Sequence, residues 1–134
     1  MGKKAFIINT ASYEQVAYAL SIAATSAILG EKVSVLFGYG GILRLKKGYV
    51  DKIGEETDER LRKVLSGGVE KGGLLKISEI IRLIRSFGGK VYACPTAMAL
   101  HDLTRDDLID NVDDVRGLAS FLIEEAKDAI IIYV

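Results

Sequence analysis

The sequence is poor in the residues that usually build covalently linked or metal-bound structure. Its 134 residues include one cysteine, one proline, one histidine and no tryptophan. A single cysteine excludes an internal disulfide, and Cys94 with His101 provides too few ligands for a Cys/His zinc site. The sequence therefore predicts no metal and no other cofactor.

The balance of charge and hydropathy excludes further classes of protein. Eighteen basic and eighteen acidic residues leave no formal net charge, which gives no electrostatic support for binding nucleic acid or a membrane surface. No apolar run approaches the ~20 residues that a membrane span needs. The stretch before the first apolar run is too short for a signal peptide. We therefore expect a soluble cytoplasmic protein.

What the chain does contain is an alternation of short apolar runs with longer stretches of helical periodicity. The runs at 4–9 and 33–37 predict buried strands, the first buried on both faces, and the runs at 90–93 and 129–133 predict a third strand and a closing apolar strand. Helices are predicted at 13–29, 57–65 and 74–87, directly after Cys94, and from Asp113 or Asp114 onward. This order predicts one α/β domain over residues 1–134. Its expected architecture is a three-layer α/β/α sandwich around a mainly parallel five-stranded sheet.

The segment 46–73 is charged and rich in glycine, and it interrupts this alternation. Gly67-Gly68 and Gly72-Gly73 are predicted hinges that follow the short helix at 57–65. A segment of this length in a compact domain usually covers a site or forms a subunit contact, so a lid or an oligomer contact is expected. A disordered loop is the alternative that the sequence leaves open.

The strand at 90–93 ends at Cys94, and the only proline, Pro95, follows at once. Proline suits the first position of a helix, so the N–H groups of Thr96 and Ala97 are expected to face the sulfur. A helix N-terminus favours an anion, and therefore thiolate over thiol. A buried cysteine with a purely structural role is the open alternative.

Ligands of open parallel sheets bind beyond the carboxyl ends of the strands. Asn9-Thr10, the turn Gly38–Gly41 and Cys94 all follow predicted strands, so we expect them to surround one pocket. Cys94 is the predicted catalytic residue. The predicted substrate-binding residues are Asn9, Thr10, Gly38, Tyr39, Gly40, Pro95, Thr96, Ala97 and Met98.

Several known cysteine and phosphate chemistries do not fit these residues. A cysteine phosphatase needs C-x5-R, but Leu100 stands at the arginine position, and the arginines of a rhodanese loop do not occur before Arg105. The glycine turn matches neither common phosphate-binding motif, so a need for positive φ is the favoured explanation of its glycines. His101 lies about 10 Å beyond Cys94 along a helix, so it reaches the sulfur only if the helix is broken.

The region around Cys94 resembles the small sulfur-relay proteins of the DsrE/DsrF type. Members carry a cysteine at a strand end, a methionine four residues later, a glycine four beyond that, and an acidic segment that leads to glycine and valine. Here these positions read Cys94, Met98, Asp102 and, after residues 105–110, Asn111-Val112. Asp102 and Asn111 replace common glycines, and both residue types tolerate left-handed backbone. The opening strand, the alanine-rich helix and the second strand agree in order and length.

The resemblance implies a sulfur carrier or sulfurtransferase. Cys94 would accept sulfane sulfur or a thiosulfonate, from a small sulfur compound or a donor protein, and pass the sulfur to a partner thiol. A second cysteine of some relatives is absent, so a resolving thiol has to come from that partner. The family also implies a homotrimer or homohexamer.

Two other functions stay open at this stage. One is a non-catalytic, oligomeric module that binds a small anion or a nucleotide in the same pocket. The other is a thiol that senses peroxide, which would form a sulfenic acid under mild oxidant.

Overall fold

The computed structural model describes residues 2–134, which form a five-stranded sheet with all strands parallel. The strands are β1 (Lys3–Ile8), β2 (Lys32–Phe37), β3 (Lys90–Ala93), β4 (Asp114–Val115) and β5 (Ile130–Tyr133), in the order β4-β3-β2-β1-β5. The helices are α1 (Tyr13–Ile28), α2 (Glu59–Glu70), α3 (Ile77–Ser86), α4 (Pro95–Leu100) and α5 (Leu118–Ser120), which continues as a π-helical turn, Phe121–Glu125. Two 3₁₀ turns, Tyr39–Leu45 and Arg105–Asp107, complete the described elements. The α/β prediction is thus confirmed.

The two faces of the sheet carry different helices. α1 and α3 pack side by side on one face, and α1 contacts β1 and β2 while α3 contacts β3. On the other face, Tyr92 of β3 meets Phe121 edge to face, with ring centroids 6.1 Å apart. Register places Ile7, Leu36 and Tyr133 on this second face, because Leu36 pairs with Tyr92 and Ile7 pairs with both Leu36 and Tyr133. The segment beginning with α5 is therefore the third layer. No helix among residues 2–134 has the length and apolarity to cross a bilayer.

The prediction of a helix from Asp113 or Asp114 is wrong. Asp114–Val115 is the short strand β4, and α5 begins only at Leu118. The cause is the carboxylate of Asp113, which accepts a hydrogen bond from the Val91 amide at 2.8 Å and pairs with Arg85 at 3.0 Å. These contacts hold the chain extended beside β3.

The segment 46–73 is also more regular than predicted. α2 continues through Gly67-Gly68, which are helical rather than a hinge, and the positive φ of 76° falls at Gly72. α3 begins at Ile77, later than the predicted start at residue 74. The carboxylate of Glu79 accepts a hydrogen bond from the Lys76 amide at 2.9 Å, which caps the helix at this point. Whether this segment serves as a lid or an oligomer contact stays a prediction.

The side chain of Arg44 is completely buried, although it carries a charge. It lies between the rings of Tyr13 and Tyr49, with its guanidinium carbon 5.2 and 4.9 Å from the ring centroids. Glu56 supplies the opposite charge at 3.5 Å. The N–H groups of Arg44 donate to the carbonyl oxygens of Ala11, Tyr49, Val50 and Lys52 at 2.9, 3.1, 3.2 and 2.6 Å. The first part of the segment 46–73 is therefore wrapped around one guanidinium.

We predict that Arg44→Ala lowers the free energy of unfolding by about 3–5 kcal/mol, because it leaves Glu56 and several buried carbonyl oxygens without their partner. Urea denaturation followed by circular dichroism measures the loss. Arg60→Ala is the matched control, since Arg60 pairs with Asp58 on the surface and its side chain is 88% exposed. Equal urea midpoints for the two variants would contradict a stabilising role of the buried Arg44 side chain.

Candidate functional site

A pocket of about 270 Å³ opens at the carboxyl edge of the sheet. It draws residues from the ends of β1, β2, β3 and β5 and from the start of α5, as the rule for parallel sheets predicts. We call it the Cys94 pocket, and its lining is Ile7, Asn9, Leu36, Gly38, Tyr39, Cys94, Thr96, Leu118 and Tyr133.

Cys94 is held at the junction between β3 and α4. Its amide donates to the carbonyl oxygen of Phe37 at 3.1 Å, which continues the strand pairing, and its own carbonyl accepts the first bond of the helix, from Met98 at 3.0 Å. Pro95 occupies the first turn of α4, as predicted. The predicted contact of the Thr96 and Ala97 amides with the sulfur is not observed, because the Cys94 side chain accepts no hydrogen bond from that turn. Cys94 keeps 9% of its surface exposed. The thiol is therefore largely buried, and it borders the pocket.

Five of the predicted site residues line the Cys94 pocket: Asn9, Gly38, Tyr39, Cys94 and Thr96. The other five, Thr10, Gly40, Pro95, Ala97 and Met98, are outside its lining. The hydroxyl of Thr10 instead accepts a hydrogen bond from the Ser12 amide at 3.1 Å. Ala97 and Met98 belong to the core, whereas Pro95 is exposed to solvent.

Four lining residues were missed by the sequence analysis: Ile7, Leu36, Leu118 and Tyr133. Tyr133 ends the last strand, so the strand-end rule that selected Asn9 could have found it. Ile7 and Leu36 lie inside buried runs, where no alternation of apolar and polar residues marks one face. Leu118 was missed because the last helix was predicted to begin at Asp113 or Asp114, whereas α5 begins at Leu118 itself.

Two tyrosines stand beside the pocket on either side of Asn9. Tyr39 follows β2 and Tyr133 ends β5, and β1 lies between these strands. The side-chain amide of Asn9 donates to the Tyr133 hydroxyl at 2.8 Å. Tyr39 and Tyr133 are 56% and 67% exposed, so both combine a lining role with a solvent-facing surface.

The glycine turn after β2 has a different cause from the predicted one. The positive φ, 27°, falls on Tyr39, whereas the turn's glycines are absent from the positive-φ positions of the described chain. Gly41 is required for another reason. A Cβ atom there would lie 2.3 Å from the carbonyl oxygen of Ile8, so only glycine lets the turn approach the end of β1.

Gly41→Ala is expected to lower the free energy of unfolding by about 1–3 kcal/mol, because backbone atoms have to move to admit the methyl group. Gly67→Ala is the control, since its site in α2 is open and alanine is the better helix former. It should be neutral or slightly stabilising in the same urea titration. A Gly41→Ala variant as stable as the wild type would refute the close approach.

A charged cluster supports β3 two residues before Cys94. The carboxylate of Glu125 accepts hydrogen bonds from Ser34 at 2.7 Å, Tyr92 at 3.0 Å and Arg116 at 2.9 Å. Arg116 also stacks on the Tyr92 ring, 4.6 Å from its centroid. Burial, together with the Glu125 hydrogen bond, raises the pKa of Tyr92 to about 12. Burial opposes ionisation of Glu125, but the Ser34 and Tyr92 hydrogen bonds and the Arg116 charge outweigh it and lower its pKa.

This lowered pKa predicts a dependence of stability on pH. Since the folded state binds the Glu125 proton more weakly than the unfolded state does, its contribution is present above the unfolded pKa of ~4.3 and is lost as the pH falls through the lower folded value. Glu125→Gln should therefore be less stable than wild type at neutral pH, and the difference should shrink below about pH 4. Urea midpoints of both proteins measured across this pH range test the prediction. A difference between the two midpoints that does not change with pH would show that ionisation of Glu125 does not contribute to stability.

His101 is the C-cap residue of α4 and is not part of the pocket lining. Its amide donates to the carbonyl oxygen of Ala97 at 3.2 Å, so the helix from Cys94 is unbroken up to it. Within residues 2–134, no group of three or more His, Cys, Asp or Glu side chains is placed to hold a metal ion.

No family model matches the chain, and no curated protein matches it. Two solved structures share its fold over the full length of both chains. One is the protein of unknown function MTH1491 from Methanobacterium thermoautotrophicum, with 19% identity and a TM-score of 0.64. The other is the ychN protein from E. coli, with 16% identity and a TM-score of 0.62. At these identities the likeness shows the fold alone.

Proposed function

We propose that this chain is a cytoplasmic sulfur carrier of the DsrE-like type, which accepts sulfane sulfur on Cys94 and passes it to a partner thiol. The observation that carries the proposal is the position of Cys94. It lies at a strand end, borders a pocket built from four strand ends, and is followed directly by a helix. A small organic sulfur compound can thus reach a nucleophile inside a protein cavity.

The chemistry needs one activated thiolate and no acid–base machinery. The Cys94 thiolate attacks the outer sulfur of a persulfide, R–S–SH. The S–S bond of the donor breaks, R–S⁻ leaves, and Cys94 becomes Cys–S–SH, so protons and charge balance without an oxidant or a reductant.

The acceptor thiol comes from a partner, because Cys94 is the only cysteine. We also propose that the chain forms a homotrimer or homohexamer. β5 pairs only with β1, which leaves its other edge free in the described chain. The candidate contact patch consists of exposed apolar side chains on that strand, Ile131 and Tyr133, and on the segment that begins with α5, Leu118, Leu122 and Ile123. Leu118 and Tyr133 also line the Cys94 pocket, so a subunit contact on the patch would border the site.

The test is intact mass spectrometry after incubation of the folded protein with an uncharged organic persulfide such as benzyl persulfide. We expect the wild type to gain the mass of one or more sulfur atoms, and a reductant to remove it. Cys94→Ser, shown to be folded by circular dichroism, should gain none because serine cannot form the persulfide.

A gain that appears only after denaturation would show that the thiol is inaccessible in the fold, and the carrier function would be wrong. A module that binds a small ligand without covalent chemistry would then be the better description. A gain in both wild type and Cys94→Ser would place the sulfur elsewhere and equally refute the proposal.

A further inference from the structure

Apart from the reacting thiolate of Cys94, the residues that line the Cys94 pocket are uncharged. Ile7, Leu36 and Leu118 contribute aliphatic carbon, and Tyr39 and Tyr133 contribute aromatic rings. The remaining polar groups, which include the Asn9 amide and the Thr96 hydroxyl, are neutral. An ionic group that enters such a pocket loses its water without gaining an opposite charge, whereas an apolar group is stabilised by burial.

Arg116, two residues before the lining residue Leu118, is already paired within the chain. Arg116 binds Glu124 at 2.8 Å and Glu125 at 2.9 Å, and its guanidinium covers the Tyr92 ring. It therefore serves two carboxylates of its own chain. A charged donor would have to break these contacts to use Arg116 as its counterion.

The volume of the pocket limits the size of its ligand. Cavities that enclose drug-sized molecules span roughly 300–1,000 Å³, and the Cys94 pocket, at about 270 Å³, lies just below that range. It suits a short aliphatic group or a single aromatic ring. A nucleotide is both larger and charged.

We infer that the sulfur donor is a small organic persulfide whose organic group is uncharged and apolar, and that this group is bound in the Cys94 pocket during transfer. The inference rests on the proposed carrier function and specifies its donor. The transfer is the step described above. The outer sulfur moves to Cys94, and the leaving thiolate R–S⁻ keeps its apolar organic group in the pocket. Inorganic sulfur oxyanions and anionic persulfides are poor donors on this account.

The experiment compares two persulfides that differ in charge, benzyl persulfide and 2-sulfonatoethyl persulfide. The rate of Cys94 persulfidation is measured by intact mass for each, and it is divided by the rate with the urea-denatured chain to remove intrinsic reactivity. We expect the folded wild type to favour the benzyl donor by about tenfold or more, the factor that corresponds to burying an apolar group of this size.

Leu118→Arg places a cation in the lining at a residue that is 51% exposed, so it should cancel or reverse the preference. Leu122→Arg is the matched control, because Leu122 follows on the same helical segment, is 41% exposed and is outside the lining. It should keep the wild-type preference.

The wild-type comparison decides the inference even if Leu118→Arg fails to fold. Equal normalised rates, or a preference for the sulfonate, would overturn the apolar donor while the carrier function stands. If neither donor persulfidates the folded wild type although both modify the denatured chain, the donor inference and the carrier function fall together. A Leu122→Arg variant that loses the preference as Leu118→Arg does would also count against the pocket as its source.

Discussion

The parallel pairing of β1, β2, β3 and β5 is the constraint on which the candidate site depends. In a parallel sheet all strands end at the same edge, so one architectural choice brings Asn9, Gly38, Cys94 and Tyr133 together from positions far apart in the chain. The pairing also satisfies the amide of Cys94 through Phe37. The backbone beside the thiol is thereby fixed, and the side chain is directed by the fold and not by a flexible loop.

Arg44 shows how the same fold controls an irregular segment. The stretch after β2 carries too little apolar sequence to form a core of its own. Its carbonyl groups instead converge on a guanidinium that is held between two tyrosine rings. A buried cation that donates to four carbonyl oxygens and is paired with Glu56 favours the arrangement that keeps these partners, because an arrangement without them leaves the charge unpaired. The 3₁₀ turn that carries Arg44 begins at Tyr39, so the order of this segment extends to the pocket wall.

The sequence was sufficient for the fold class, for most strands and for the place of Cys94, since buried runs, helical periodicity and a proline after a strand are local signals. It was not sufficient for β4. That strand exists because Asp113 binds the Val91 amide and Arg85, which are remote in sequence. The site shows the same difference between residues with local signals and residues whose place depends on remote contacts. Asn9 and Tyr39 follow from the strand-end rule, whereas Ile7 and Leu36 require the register and the face of the sheet, which a run buried on both sides does not reveal.

The hydrogen bond between Asn9 and Tyr133 has a consequence for folding. It joins residues separated by 124 positions, and it forms beside the pairing of β1 with β5. Contacts of such separation close a loop of nearly the whole chain and incur its entropy cost. Pairing of β1, β2 and β3 alone would place Cys94 at its strand end, but it would not supply the Tyr133 side of the cavity. The enclosed thiol is thus a property of the completely folded chain.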